Sequence, residues 1–423
     1  MIKLSNILPE NANRLRGLHI ATSLLFLALF AFPVYSLKLT NIMLMGFVAL
    51  TLTGYVTKPV AIGKPLLRNL VFILPFLPYL IEFCVYGNNP TAHFEFEKKI
   101  FFFTAPIIIP VFVQVTGFKN YKLALMVFSA SVCILTIYTF GGLVIHKTFF
   151  AAESYQNGAY LLRYHFERIS GLHPTYYSIF ALTAGWFFCQ ATSVKNNFRL
   201  VYYIFAALLF AAVMVLAVRI ALAASVVLVL VWIIRSKLSN NHRILMTIGA
   251  LAAFIFISFT VPSLKNRLNE FLLWDTSKTN HTNTISQRAT IMDCSWQVFI
   301  NHWLWGCGSR NFQLGLNECY NAKGWPQGRQ NEFNPHNQYV LMGINYGIFI
   351  LFVFLGCLCI ILCKIFKLPI GIYFGLMVLF FFMSEAMLER QMGVYFFGLI
   401  ALLLYNIKNP KLSQEATHID SKN

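Results

Sequence analysis

Apolar residues in this chain gather into runs of about 18 or more, such as Leu18–Ser36 and Asn69–Tyr86, without period-two alternation. At ~1.5 Å per residue a helical run of that length crosses a hydrocarbon core. Missing alternation argues against a β-barrel, and helices are the other way to satisfy the backbone in lipid. The pattern predicts spans at 18–36, 40–57, 69–86, 100–116, 123–143, 172–191, 200–217, 220–234, 244–262, 337–363, 369–386 and 393–407. The expected fold is therefore all-α: a polytopic membrane helix bundle of about twelve transmembrane helices, one integral membrane domain over residues 1–423. Within it, residues 262–335 form one large polar loop containing short helices. The seventh and eighth runs are separated only by Val218 and Arg219. As one helix they would be too long for a single crossing, so a tight hairpin is expected there.

Twelve spans place both termini on one side. With the N-terminus inside, more than half of the 33 Lys and Arg residues fall in short inner segments, as the positive-inside rule requires. Lys38, Lys98 and Lys99 run against it. The first run has no clear cleavage site and reads as a retained span. This topology exports Val144–Gly171, Pro262–Pro335, the hairpin tip at Arg219 and the turn Leu388–Met392. The last fifteen or so residues read as a solvated tail.

Composition agrees: 58% of residues are hydrophobic and only 11% charged, against about a quarter charged in a soluble domain. The formal charge of +18 sits between the apolar runs, a footprint of topology rather than of nucleic-acid binding. Of the nine cysteines, six lie in apolar runs and none has metal spacing. Cys294, Cys307 and Cys319 lie in the long loop. If that loop faces an oxidising compartment, Cys307 and Cys319 are candidates for a disulfide. No His/Glu/Asp set has metal spacing, so no metal and no other cofactor is expected.

Four constellations share the outer face. Arg219, between two apolar runs, needs compensation, since an arginine costs about 2.5 kcal/mol or more at a helix centre. It reads either as a snorkelling anchor or as an anion clamp. Arg288 follows Ser286, a plausible N-cap that would place it in the first turn of an amphipathic helix. It is either a surface residue or, with the helix N-terminus, a phosphate ligand. His336, in Asn334-Pro335-His336-Asn337, sits at the membrane surface, as a structural residue or as a base for a hydroxyl proton. Glu385 and Glu389, four apart, would share a helical face, with Arg390 pairing to one of them. They form a salt-bridged helix end or orient Arg219 and His336. Gly306-Cys307-Gly308 reads as a tight turn, and His173-Pro174 opens the sixth span from outside.

Together these pieces resemble the O-antigen ligase family, membrane glycosyltransferases that include Wzy-type polymerases and O-oligosaccharyltransferases. The resemblance is best over residues 200–352. It rests on Ala217-Val218-Arg219, on Arg288 through Trp305-Gly306-Cys307-Gly308-Ser309-Arg310-Asn311-Phe312, and on His336-Asn337-Gln338-Tyr339-Val340 before Tyr346-Gly347-Ile348. Val218 departs from the family's commoner Ser or Thr, and the first 170 residues match in hydropathy alone.

The resemblance implies transfer of a glycan from an undecaprenyl diphosphate carrier to an acceptor hydroxyl, inverting and without metal. The site would lie at the periplasmic face of a bacterial inner membrane, with both termini cytoplasmic. His336, Arg288 and Arg219 take the catalytic roles, the arginines stabilising the diphosphate leaving group. Arg310, Asn337, Glu385, Glu389 and Arg390 join the two arginines as substrate-binding candidates. Partners are the lipid-linked glycan donor, a lipid A–core or glycan acceptor, and the bilayer. A ligase and a polymerase both fit. A twelve-span secondary transporter is the reading from another class, but it calls for midplane charges and inverted repeats.

Overall fold

The computed structural model describes residues 8–61, 63–147, 159–191, 198–236, 239–260 and 284–407. The first part of the long loop, with the polar stretch Asp275–His281, lies outside the described residues, as does the tail. Among the described residues every regular element is a helix. The membrane-scale elements are α1 (Leu8–Leu29), α2 (Leu37–Thr57), the pair α3 (Gly63–Asn69) and α4 (Leu77–Tyr86), α5 (Pro90–Lys99) with α6 (Phe101–Thr116), and α7 (Tyr121–Ile145). They continue as α8 (Ala159–Ser170), α9 (Pro174–Ala191), α10 (Arg199–Leu216), α11 (Arg219–Arg235) and α12 (Asn240–Thr260). The long loop supplies α13 (Thr284–Asn301), α14 (Phe312–Ala322) and α15 (Pro326–Gln330). The bundle closes with α16 (Gln338–Ile365), α17 (Pro369–Ser384) and α18 (Gln391–Asn406).

Each of the twelve expected spans has a helical counterpart. By length and apolarity, however, five described helices suffice to cross a membrane, or six if α3 and α4, bent by 50°, count as one span. Two of the predicted spans end earlier than the apolar pattern does. The first predicted span stops at Leu29 and gives way to a 3₁₀ turn at Phe32–Val34. The eleventh stops at Ser384, leaving Glu385 in a connecting turn.

The bend in the third span falls at its 3₁₀ turns, Leu70–Phe72 and Leu74–Phe76, the second of which carries Pro75; just before it, α3 meets an open carbonyl of α6. Pro110 has no N–H, so the carbonyl of Pro106 loses its intrahelical partner. The Asn69 side chain, fully buried where α3 ends, donates to that carbonyl at 3.1 Å. Elsewhere the core is aromatic. Phe76 stacks on Phe102 at 4.0 Å and Trp186 on Tyr373 at 4.4 Å. Such direct packing holds helices together where lipid tails are as apolar as the side chains.

Polar contacts sort to the two ends of the bundle. At one end Arg68 bonds Asn406, and Lys364 lies over the Tyr405 ring at 3.8 Å. At the other, segments 82–99, 163–173, 216–219, 284–337 and 385–390 carry the contacts described below. The loop helices α13 and α14 share a small core of Ile291, Cys294, Val298, Phe312, Leu316 and Tyr320, seated on Leu341 and Ile344 of α16. A disulfide joins Cys294 of α13 to Cys319 of α14, with Cα atoms 5.6 Å apart. Of the three loop cysteines it is thus Cys294, not the candidate Cys307, that pairs with Cys319. Cys307 is a free, half-buried thiol whose Sγ lies 3.3 Å from the Ile344 carbonyl.

Candidate active site

The segment Asn334–Gln338 is built to hold one imidazole. Pro335 disfavours helix at Asn334, whose side chain accepts from the His336 amide at 2.9 Å. His336 takes a left-handed conformation, φ 47°. That is uncommon for a residue other than glycine, and neighbouring bonds compensate for it. Asn337 caps α16, its Oδ1 accepting from Tyr339 N at 2.9 Å and Val340 N at 3.0 Å. Its Nδ2 donates to Met383 O at 3.0 Å, tying the start of α16 to the end of α17. Gln338, buried, accepts from Leu388 N at 2.7 Å. Phe333 lies against the His336 ring at 6.1 Å and stacks on Trp325.

His336 thereby faces Glu385 across the junction. Its Nδ1 lies 3.3 Å and 3.4 Å from the two carboxylate oxygens. The Glu385 side chain is only 7% exposed, the imidazole 26%. Burial alone would raise the Glu385 pKa. The hydrogen bond from His336 and the charges of His336, His173 and Arg288 outweigh burial and hold it below the usual carboxylate range. An ionised carboxylate only accepts, so Nδ1 must donate, which leaves the Nε2 lone pair free of that pair. Arg288 reaches the same turn, donating from Nη1 to Ser384 O at 3.3 Å, and is otherwise exposed.

Three expectations need correction here. Glu385 and Glu389 do not share a helical face, because α17 ends at Ser384 and residues 387–389 form a 3₁₀ turn. Glu385 turns to His336, whereas Glu389 turns to Lys98 at 3.1 Å and Lys99 at 3.5 Å. Both lysines also bridge Glu95. Lys98 and Lys99, which ran against the positive-inside rule, are thus neutralised within the protein. Arg390 pairs with neither carboxylate but lies exposed, 5.7 Å over the Tyr176 ring. Finally, Ser286 does not cap the helix of Arg288. That helix is already formed at Thr284, so Arg288 is its fifth residue.

Arg219 opens α11 at the expected hairpin, half-buried. The turn before it is held by a residue that hydropathy alone does not single out. Arg163 of α8 donates from Nε to Leu216 O and from Nη2 to Ala217 O, both at 2.9 Å. These are the end carbonyls of α10, where a cation also meets the negative pole of the helix. Ala217 is fully buried with φ 49°. Among the described residues, the contacts that join His336, Glu385 and Arg288 do not include Arg219.

Gly306-Cys307-Gly308 does more than turn the chain. It docks the loop on a break in α16 at Gly347, where φ is 75° and ψ −175°. Cys307 N donates to Ile344 O and Gly308 N to Asn345 O, both at 2.9 Å, while Ile348 N donates to Trp303 O at 2.8 Å. A Cβ on Gly347 would stand 2.1 Å from Leu304 O. Glu82 of α4 locks the same joint. It accepts from Ser309 N at 3.0 Å, from Ser309 Oγ, and from Tyr346 OH at 2.8 Å. Glu82 lies near the end of the third apolar run, and no motif ties it to Ser309, 227 positions further on.

Arg310, the last candidate, lies outside the His336 cluster. Its guanidinium stacks 3.7 Å over the Tyr86 ring, on the wall of a cavity of about 590 Å³. His173 is part of the cluster: Glu385, Glu167, Arg390 and His336 all act on its charge, though burial dominates and lowers its pKa. Its Nδ1 accepts from Thr175 N at 3.3 Å.

Residues 204–355, which hold Arg219, Arg288, Arg310, His336 and Asn337, match the family model described as O-antigen ligase. No curated protein matches the chain.

Proposed function

Because residues 204–355 match the O-antigen ligase family model, we propose that the chain is an inverting, metal-independent membrane glycosyltransferase of the lipid A–core ligase type. Its donor would be an undecaprenyl diphosphate-linked glycan, and the reaction would occur at the periplasmic face of a bacterial inner membrane. Twelve crossings with both termini cytoplasmic fit this reading. The segments assigned to the outer face meet one another at one end of the bundle, while Arg68, Lys364 and Asn406 meet at the other. A disulfide between Cys294 and Cys319 suits an oxidising compartment on the loop's side.

The observation that carries the proposal is the His336–Glu385 pair beside Arg288. The acceptor hydroxyl gives its proton to Nε2 of His336 as its oxygen attacks the anomeric carbon. The bond from that carbon to the diphosphate oxygen breaks on the opposite face, so the configuration inverts. The electron pair leaves with the lipid diphosphate, whose growing charge is met by Arg288 and Arg219. Glu385 holds the tautomer and stabilises the imidazolium formed. Asn337 fixes the junction that presents them, and the apolar spans hold the polyprenyl tail.

The test is glycan transfer in cells by Arg219→Ala, Arg288→Ala and His336→Ala variants that still insert. Loss in all three supports the mechanism, and near-normal transfer by all three overturns it. Accumulation of lipid-linked polymer marks a ligase, whereas accumulation of single lipid-linked repeat units would make the enzyme a polymerase.

A further inference from the structure

Arg310 is a cation with no acceptor. Among the described residues it forms no ion pair and no hydrogen bond, and its Nε is buried without a partner. Its position is nevertheless rigidly set. Ser309, the preceding residue, is pinned to Glu82 through both its amide and its hydroxyl. Glu82 is in turn occupied by Tyr346, so this carboxylate is already committed. The Tyr86 ring then fixes the plane of the guanidinium at 3.7 Å.

The cavity beside it is walled by residues 84–90 and Arg310, with no carboxylate in that wall. It is an open concavity of about 590 Å³ at the surface, with room for a sugar-sized ligand. Asn88 and Asn89 bring side-chain amides to the wall. Asn89 uses its Oδ1 to cap Thr91 N at 2.9 Å and Ala92 N at 3.3 Å, so its remaining group is a donor. The wall is thus rich in donors, poor in acceptors, positively charged and aromatic on one side. A planar guanidinium with unused N–H groups matches a planar or tetrahedral oxyanion.

We propose that this cavity is a second anion subsite, which takes a phosphate or carboxylate substituent carried on the saccharide substrate. It is separate from the cations assigned to the carrier diphosphate. That the ligand is a sugar rests on the transferase reading; that it is an anion rests on Arg310 and the cavity alone. Holding a charged substituent here would anchor the glycan while its reacting end lies at His336. Substrates with and without that charge would then differ in affinity.

The experiment measures binding of glucose 1-phosphate, glucuronate and glucose to the full-length chain in nanodiscs, by saturation-transfer NMR. Binding of one or both anions at least tenfold tighter than glucose is expected, and the preference between them separates phosphate from carboxylate. Arg310→Ala should weaken the anion about tenfold, to the level of glucose, whereas His336→Ala should leave it unchanged. Anion binding that survives Arg310→Ala, or glucose binding as well as either anion, overturns the proposal. The three-sugar series on the unmodified protein decides the matter even where Arg310→Ala fails to fold. If His336→Ala transfers glycan normally while the anion preference stands, the transferase reading fails and the subsite does not.

Discussion

His336 and Glu385 flank the α16–α17 hairpin, 49 positions apart, yet Nδ1 of one lies 3.3 Å from the carboxylate of the other. Each is set by backbone chemistry nearby: Asn334, Asn337 and Gln338 hold the imidazole, and the end of α17 frees the carboxylate from helix. The pair depends on both elements keeping their place. Without the imidazole the buried carboxylate would lose its hydrogen-bond donor and keep only the charges of His173 and Arg288, at a cost of about 1–3 kcal/mol.

The charge state of Glu385 has a pH consequence. Its folded pKa lies below its ordinary value of 4.5, so the unfolded chain binds the proton more readily. The stability it contributes is complete above about pH 5 and is lost as pH falls through the depressed folded value. Thermal unfolding between pH 7 and pH 3 should show Glu385→Gln less sensitive to acid than the unmodified protein. Parallel curves would contradict the assignment.

The joint between the loop and α16 should be intolerant of a single methyl. A Cβ on Gly308, where φ is 84°, would stand 2.6 Å from Glu82 Oε1. Gly308→Ala should undock the loop at a cost of about 1–3 kcal/mol, seen as faster proteolysis within residues 284–337. Glu82→Gln, which keeps the shape but weakens three acceptor contacts, should fall between that variant and the unmodified protein.

Arg163 is expected to act on transfer without touching the reacting atoms. Its two hydrogen bonds hold the turn that leads into Arg219, and charge-assisted bonds of this kind contribute roughly 1.5–3 kcal/mol each. Arg163→Ala should lower transfer by about tenfold or more. Glycine accepts the φ of Ala217 at less cost, so adding Ala217→Gly should recover part of the loss. No recovery would mean that the strain at Ala217 is not what Arg163 offsets.

Cysteine labelling distinguishes the two disulfide pairings. With Cys294 bridged to Cys319, Cys307→Ser should leave the bridge intact on mass spectrometry, while Cys294→Ser should abolish it. Loss of the bridge should cost about 2–4 kcal/mol in the loop. A bridge that disappears with Cys307→Ser would contradict the Cys294–Cys319 pairing.

What the sequence made legible follows from what lipid demands. Length and apolarity are local properties, so the helix positions and the hairpin before Arg219 can be read directly. Helix ends and pairings are not local. Ser286 has the chemistry of an N-cap, but the helix starts before it. Glu385 and Glu389 have helical spacing, but the helix stops before both. Glu82 and Ser309 lie 227 positions apart, and Lys98 and Glu389 lie 291 apart, so no periodicity connects them. Lys98 and Lys99 look like topological exceptions for the same reason, since charge statistics do not see a buried partner.

If His336 and Glu385 act as one unit, a double-mutant cycle on the rate of glycan transfer will show it. His336→Ala should lower kcat by about 10²- to 10⁴-fold, as expected for loss of a general base. Glu385→Gln should lower it less, and the double variant should be no slower than His336→Ala alone, because Glu385 acts through the imidazole. Multiplicative losses, or near-normal transfer by His336→Ala, would contradict the account.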